Sequence, residues 1–262
     1  MLTPAKKTKL LLALKTYSKK YLQGNITELD ESGTRLMIND FLYSVLGFTP
    51  IEEIKTEYII KGTYADYVIQ MKGVRQFLVE VKALSLVLSE KHLRQAVNYG
   101  ANEGIDWALL TNGRSFDFYR IIFGKPIESR KVFSINMADT SQLKNIAELL
   151  QYLHRDSVIN KGLNILWNKN CALDPYNVAG HLYSPAVTNI IRKALNEKFK
   201  SKFIDEEIHA SINRILIEKL ALENIKPVKG VKAKPKAVKS KPEDPVLTIL
   251  EPQPGESGNL EC

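Results

Sequence analysis

Apolar positions along this chain keep two periods. Ile54 to Ile60, Ala65 to Gln70 and Arg75 to Val81 are short runs rich in Val, Ile, Tyr and Phe, which reads as three strands, the last two joined by a turn at Met71-Lys72-Gly73-Val74. Upstream the spacing is helical. Leu10, Leu14, Tyr17 and Tyr21 mark one face of a first helix to about Leu22, closed by Gly24-Asn25, and a second from about Ser32 to Leu46 should bury Leu36, Ile38, Leu42 and Val45 before Gly47. Ser89 suits the N-cap of a helix to Gly104, and Asp106 to Leu110 follows as an apolar strand. A strand, helix, strand crossover of that kind makes the Arg75–Val81 and Asp106–Leu110 strands parallel. Asn112-Gly113 signals a hairpin into Phe116–Ile122, with Ile127–Phe133 as an edge strand.

Beyond Ala138 only the helical period remains. Asp139 or Thr140 caps a segment to Leu153, Asp156 or Ser157 begins another to Trp167, and Ser184-Pro185 opens a third to Phe199. Ile204, Ile208, Ile212, Ile215 and Leu216 form the stripe of a fourth. From Ile225 on, Lys- and Pro-rich sequence carries too little apolar surface to pack. The expectation is an α/β fold with a mixed sheet flanked by helices over residues 1–138, an all-helical extension over 139–224 and a disordered tail over 225–262.

Three polar residues interrupt the strand runs. Glu80 and Lys82, two apart on one strand, share a face while Val79 and Val81 point into a core. If the preceding strand pairs through the Met71–Val74 turn, Asp66 approaches Glu80. Two carboxylates and an ammonium then converge, a set that suits Mg²⁺ or Mn²⁺ with water completing the shell, and a neighbouring lysine able to position or deprotonate that water. A strand-edge salt bridge is the plainer alternative. Gln95 and Tyr99, four apart on the following helix, share one face, from which Gln95 can bond a phosphate or a metal-bound water.

The ordered set Asp66-x13-Glu80-x-Lys82 followed by Gln95-x-x-x-Tyr99 resembles the PD-(D/E)XK nuclease superfamily. More closely, it resembles the N-terminal nuclease domain of type I restriction enzyme R subunits. The similarity runs from about Glu31 to Tyr119 and includes Thr34-Arg35, Phe41-Leu42 to Leu46-Gly47, and Trp107 to Leu110-Thr111-Asn112-Gly113. It implies a restriction-endonuclease-like sheet, metal binding by Asp66 and Glu80, assistance to the attacking water by Lys82, and DNA-backbone contacts from the Gln95/Tyr99 helix and Arg35. It further implies 5′-phosphate and 3′-hydroxyl products. Ala65 replaces the proline of the superfamily's name. The metal-facing acid expected on the Thr34-Arg35 helix falls nearest to Glu31, one residue further from Arg35 than the pattern has it.

Charge supports a polyanionic partner, DNA above all. Lys and Arg number 37 against 29 acids, a net +8, with a pI near 9.2. Ile225 to Cys262 contributes seven lysines and five acids, so the rest is basic by itself. Seven lysines without an intervening acid suit either non-specific DNA contact or solubility, and Val246–Leu250 between prolines suits a short docking motif. Two cysteines far apart, Cys171 and Cys262, give no zinc spacing and fit a reducing cytoplasm. The N-terminal apolar run is short and lysine-flanked, unlike a cleavable signal, and no stretch is long enough to span a bilayer. No Gly-x-x-x-x-Gly-Lys-[Ser/Thr] loop occurs, so the ATP-driven motor of R subunits is missing. A separate restriction or helicase chain, homodimerisation through the helical part, or independent action remain open. The reading is a cytoplasmic, Mg²⁺-dependent DNA endonuclease of restriction-modification type. Its alternatives are a non-catalytic nucleic-acid-binding or defence- or phage-associated adaptor on the same fold, and a protein-interaction scaffold built on the helices.

Overall fold

The structure is a computed structural model that describes residues 1–23, 28–60 and 63–220. It divides into two compact units, Met1–Lys169 and Asn170–Cys262. The expected helix stop at Gly24-Asn25, the Lys61-Gly62 link and the Lys/Pro tail lie outside the described residues.

The first unit is a mixed α/β layer structure. Its sheet comprises β1 (Ile54–Ile60), β2 (Thr63–Met71), β3 (Val74–Val81), β4 (Trp107–Thr111), β5 (Ser115–Ile122) and β6 (Glu128–Asn136). They lie in the order β1-β2-β3-β4-β5-β6. All neighbours are antiparallel except β3 and β4, which are parallel as the crossover requires. The crossover helix is α3 (Glu90–Glu103), which starts after Ser89 and stops on Gly104 at φ 65°, a left-handed residue that glycine adopts without steric cost.

Alternation along the strands divides the apolar side chains between two faces. Tyr67, Ile69, Phe77, Val79, Val81, Leu109, Phe116 and Phe118 turn to the larger core, shared with Leu10, Leu14 and Tyr17 of α1 (Pro4–Tyr21) and with α4 (Leu143–Leu150). Ala65, Val68, Leu78, Ala108 and Ile121 turn the other way, against Ala96, Tyr99 and Ile105. Gly100 allows that close approach: a Cβ there would collide with Ile121 and sit 2.7 Å from the Ile105 carbonyl oxygen.

The second helix departs from expectation in its winding and in which side chains it buries. It is α2 (Glu31–Asp40) continued by a π-helical turn over Phe41–Val45. Met37, Ile38, Phe41, Leu42 and Val45 are buried, while Leu36, about 200° around the helix from Ile38, is 71% exposed. Gly47, at φ 77°, ends it.

Downstream, a 3₁₀ turn at Thr140–Gln142 capped by Asp139 leads into α4, which ends at Leu150 rather than Leu153. The expected Asp156–Trp167 helix is two pieces, α5 (Arg155–Val158) and α6 (Gly162–Ala172), interrupted by Lys161 at φ 59°. The second unit includes a helix the periodicity missed, α7 (Pro175–His181), then α8 (Pro185–Phe199) and α9 (Asp205–Leu220). Its small core joins Ala179 to Ile208, Ile212 and Leu216, whereas Ile204 and Ile215 of the expected stripe are exposed. Among the described residues no helix is long and apolar enough to cross a membrane.

Candidate active site

The site forms where one strand ladder stops and its neighbour continues. β2 and β3 pair as far as Tyr67 with Val79, while on the other side β3 stays in register with β4 through Glu80–Leu110 and Val81–Thr111. Past Tyr67 the role of a backbone acceptor passes to a side chain: Asp66 Oδ2 accepts from the Val81 amide at 2.8 Å. The ladder thus opens with Asp66 on one lip and Glu80 on the other, beside the C-terminal end of the parallel pair. Lys82 is held there by its own amide, which donates to the Thr111 carbonyl at 2.8 Å.

Asp66, Glu80 and Lys82 are all buried, at 9%, 1% and 8% exposure. Lys82 Nζ donates to Glu80 Oε1 at 2.6 Å and lies 3.5 Å from Gln95 Oε1 and 3.8 Å from Glu31 Oε2. Gln95 Nε2 donates to the Tyr99 hydroxyl at 2.8 Å, so the helix pair does share one flank and reaches the trio. Arg35 Nη1 stands 3.3 Å from Asp66 Oδ1 and 3.5 Å from Glu57 Oε1, and its backbone carbonyl accepts from Tyr67 Oη at 2.7 Å. All seven residues singled out from the sequence, Glu31, Arg35, Asp66, Glu80, Lys82, Gln95 and Tyr99, therefore belong to one neighbourhood. A hollow of about 270 Å³ next to Asp66 is lined by Ser32, Arg35, Asn39 and Thr56.

The electrostatics follow from burial. Desolvation pushes the Glu80 carboxyl up to about 7, opposed by its Lys82 hydrogen bond and reinforced by the negative charge of Asp66. Asp66 is raised for the same first reason, with the Val81 amide pulling the other way. Burial works to lower Lys82, but Glu80, Glu31 and Asp66 outweigh it and hold the ammonium above its ordinary value.

Glu80 Oε2 is buried and has no hydrogen-bond partner among the described residues. A buried carboxylate oxygen with nothing to accept from is costly, and it is what a ligand-binding oxygen looks like without its ligand. Among the described residues no group of three or more His, Cys, Asp or Glu side chains is arranged to hold a metal ion. Glu31 is paired loosely to Lys82 rather than assembled with the other two acids. A hard divalent cation that keeps waters and takes phosphate oxygens needs only one or two carboxylates, so the Asp66/Glu80 pair with its free oxygen fits such an ion.

Several neighbours position the site without entering it. Thr34 Oγ1 accepts from the Leu84 amide at 3.0 Å, and Asn112 Nδ2 donates to the Leu86 carbonyl at 2.7 Å, which ties down the loop after Lys82 from two directions. Asn112 Oδ1 also accepts from the amides of Arg114 and Ser115, and Gly113 at φ 81° completes that turn. No local signal marks Glu57, which sits at φ 47° on the edge strand and shares Arg35 with Asp66.

No protein-family model matches the chain, and no curated protein matches it. Among solved structures, the type IIG restriction endonuclease BpuSI aligns over 74% of this chain with 20% identity and a TM-score of 0.30. The chain spans 22% of that enzyme's length. What this protein does has to be read from the arrangement of its own side chains.

Proposed function

We propose that the protein is a divalent-metal-dependent phosphodiesterase acting on DNA, with Asp66, Glu80 and Lys82 at its centre. The observation that carries this is the unpartnered, buried Oε2 of Glu80, in a carboxyl that feels the charge of Asp66 and has a lysine ammonium at 2.6 Å from its other oxygen. A fold gains little from such a cluster, since a buried ion pair seldom outdoes apolar residues of the same size.

Asp66 and Glu80 would hold the ion, Mg²⁺ or Mn²⁺. When bound, it supplies Lewis-acid polarisation of a phosphoryl oxygen and lowers the pKa of the attacking water. Lys82 donates to negative charge that builds on the phosphorus-bound oxygens, and its position two residues from Glu80 on a rigid strand fixes its reach. Gln95, oriented by Tyr99, presents an amide to a phosphate oxygen or to the water. Arg35, held at distances of 3.3 and 3.5 Å by two acids, is loosely enough paired to turn to a phosphate. A basic chain favours the polyanionic substrate.

The test is cleavage of supercoiled plasmid and single-stranded circles with Mg²⁺ or Mn²⁺ by the wild type and by Asp66→Asn, Glu80→Gln and Lys82→Met, purified identically. Nicking that depends on metal and disappears in all three variants supports the reading. If wild type and variants are alike, the catalytic assignment fails.

A further inference from the structure

A second cavity, of about 580 Å³, lies on the far flank of α3 from the carboxylates. Its walls are Leu93 and Val97 of the helix and Ile127 ahead of β6, with the Tyr119 ring in its floor. Arg94, Asn98, Ser129 and Lys131 bring polar groups to the same space, with Glu90 as the single carboxylate against two cations in the lining. The floor is fixed: Asp117, buried under it, accepts from Ser134 Oγ at 2.6 Å, Lys131 Nζ at 2.9 Å and Tyr119 Oη at 3.2 Å. Lys131 still leaves 46% of its side chain in solvent, and Arg94 has no hydrogen-bond or ion-pair partner among the described residues.

The helix relates this cavity to the site. At ~100° per residue, Gln95 and Tyr99 occupy one flank, Leu93 and Val97 the other, and Lys91, Arg94 and Asn98 crown the outward surface between them. A helix with its side chains is about 10 Å across, so a strand passing from the carboxylates over that crown, a path of about 15 Å, reaches the cavity within two or three nucleotides. Apolar walls suit the faces of a base, the Asn98 amide can pair with a base edge, and the two cations suit its phosphate. A volume of this size is in the range of small-ligand pockets. A base still stacked and paired in a duplex has no face free to enter it.

We propose that this cavity binds an unpaired nucleotide of the substrate strand, so that the protein acts on DNA with single-stranded character beside the cleavage point. The proposal rests on the phosphodiesterase reading above and names the substrate class for that site.

Binding is measured by fluorescence anisotropy on the full-length Glu80→Gln protein, which does not depend on cleavage. The probes are a single-stranded oligonucleotide, a blunt duplex, and a duplex with a single-stranded gap. The expected result is roughly tenfold tighter binding of the single-stranded and gapped probes than of the blunt one. Arg94→Ala and Val97→Trp, each introduced into that protein, should abolish the difference while leaving duplex binding in place. An iodouracil-substituted strand should cross-link to the peptide carrying Tyr119 or Ile127. Equal affinity for all three probes, a preference that survives both substitutions, or cross-links elsewhere would overturn the proposal. So would competition by deoxyadenosine monophosphate as strong as by the strand at equal nucleotide concentration, which would mark a site for free nucleotide. Plasmid cleavage lost only in the trio variants, with no groove binding, would leave the nuclease reading standing and sink this one alone.

Discussion

Replacing Lys82 by methionine removes the ammonium and keeps the buried stem, which isolates one question: what Glu80 costs the fold when left alone. With Lys82 present, Glu80 Oε1 has one partner at 2.6 Å and Oε2 has none among the described residues. Stranding a buried charge costs about 3–5 kcal/mol. Glu80 escapes part of this by taking a proton, because burial has already brought its carboxyl to about 7. A loss of about 2 kcal/mol at pH 7 is therefore expected for Lys82→Met. Glu80→Gln combined with Lys82→Met removes both charges and should lose about 1 kcal/mol or less, so the second substitution restores about 1 kcal/mol of what the first lost. The assay is urea unfolding with EDTA present, followed by tryptophan fluorescence. Trp107 and Trp167, the chain's two tryptophans, both lie in the first unit with ring centroids 6.2 Å apart, so the signal reports that unit. If the double variant loses as much stability as Lys82→Met alone, Glu80 is not a stranded charge in the single variant and the energetic account is wrong. If the double variant is near wild type in stability yet inactive on plasmid, the charges are kept for chemistry.

Other parts of the first unit give further expectations. Glu53, whose burial alone would raise its carboxyl, is held below its usual value by Arg155 at 2.7 Å and by the Thr49 amide. Its stabilisation is present above the ordinary 4.5 and is lost as pH falls through the depressed folded value. Since Arg155 is 37% exposed, Glu53→Gln should cost about 1 kcal/mol at pH 7 and flatten the acid limb of a urea-midpoint profile. Gly100→Ala should overpack α3 against Ile121 and lose about 2 kcal/mol, seen as a lower thermal midpoint. Asn112→Ala strands the Leu86 carbonyl and frees two turn amides, for a loss of about 2 kcal/mol. Hydrogen exchange at the Leu84 amide should then quicken, and an unchanged rate would argue against the tie.

What could be read in advance was what local chemistry decides. Ser89 and Gly104 bound α3, and a strand, helix, strand order forces β3 and β4 parallel, so both followed from residues within a few positions of one another. Strand period two put Glu80 beside Lys82 and helix spacing four put Gln95 beside Tyr99, while the meeting of these pairs with Asp66 was implied by the nuclease resemblance and not by local spacing. Other contacts between distant residues were not legible. Nothing near Asp66 indicates that its carboxylate would replace a ladder carbonyl for Val81, nor does Arg35 announce that two acids would claim it. Leu36 was misplaced because it was counted with Ile38, although two positions on an α-helix are about 200° apart and put the two side chains on opposite faces. The α7 helix did carry a signal, Asp174 accepting from the Tyr176 amide and Pro175 at the first position, which a search for long apolar stripes passes over.

The π-helical turn over Phe41–Val45 has an implication for how length changes would be tolerated. Such a turn amounts to one extra residue lodged in an α-helix, so a single deletion within it would restore regular winding and leave the flanking segments in nearly the same rotation. A deletion at Asn39, in the regular winding of α2, would instead turn everything before it by about 100° relative to everything after. Arg35 would then swing away from Asp66, and Met37 and Ile38 would leave the core. Loss of a residue is therefore absorbed where the helix is irregular and dismantles the site where it is regular.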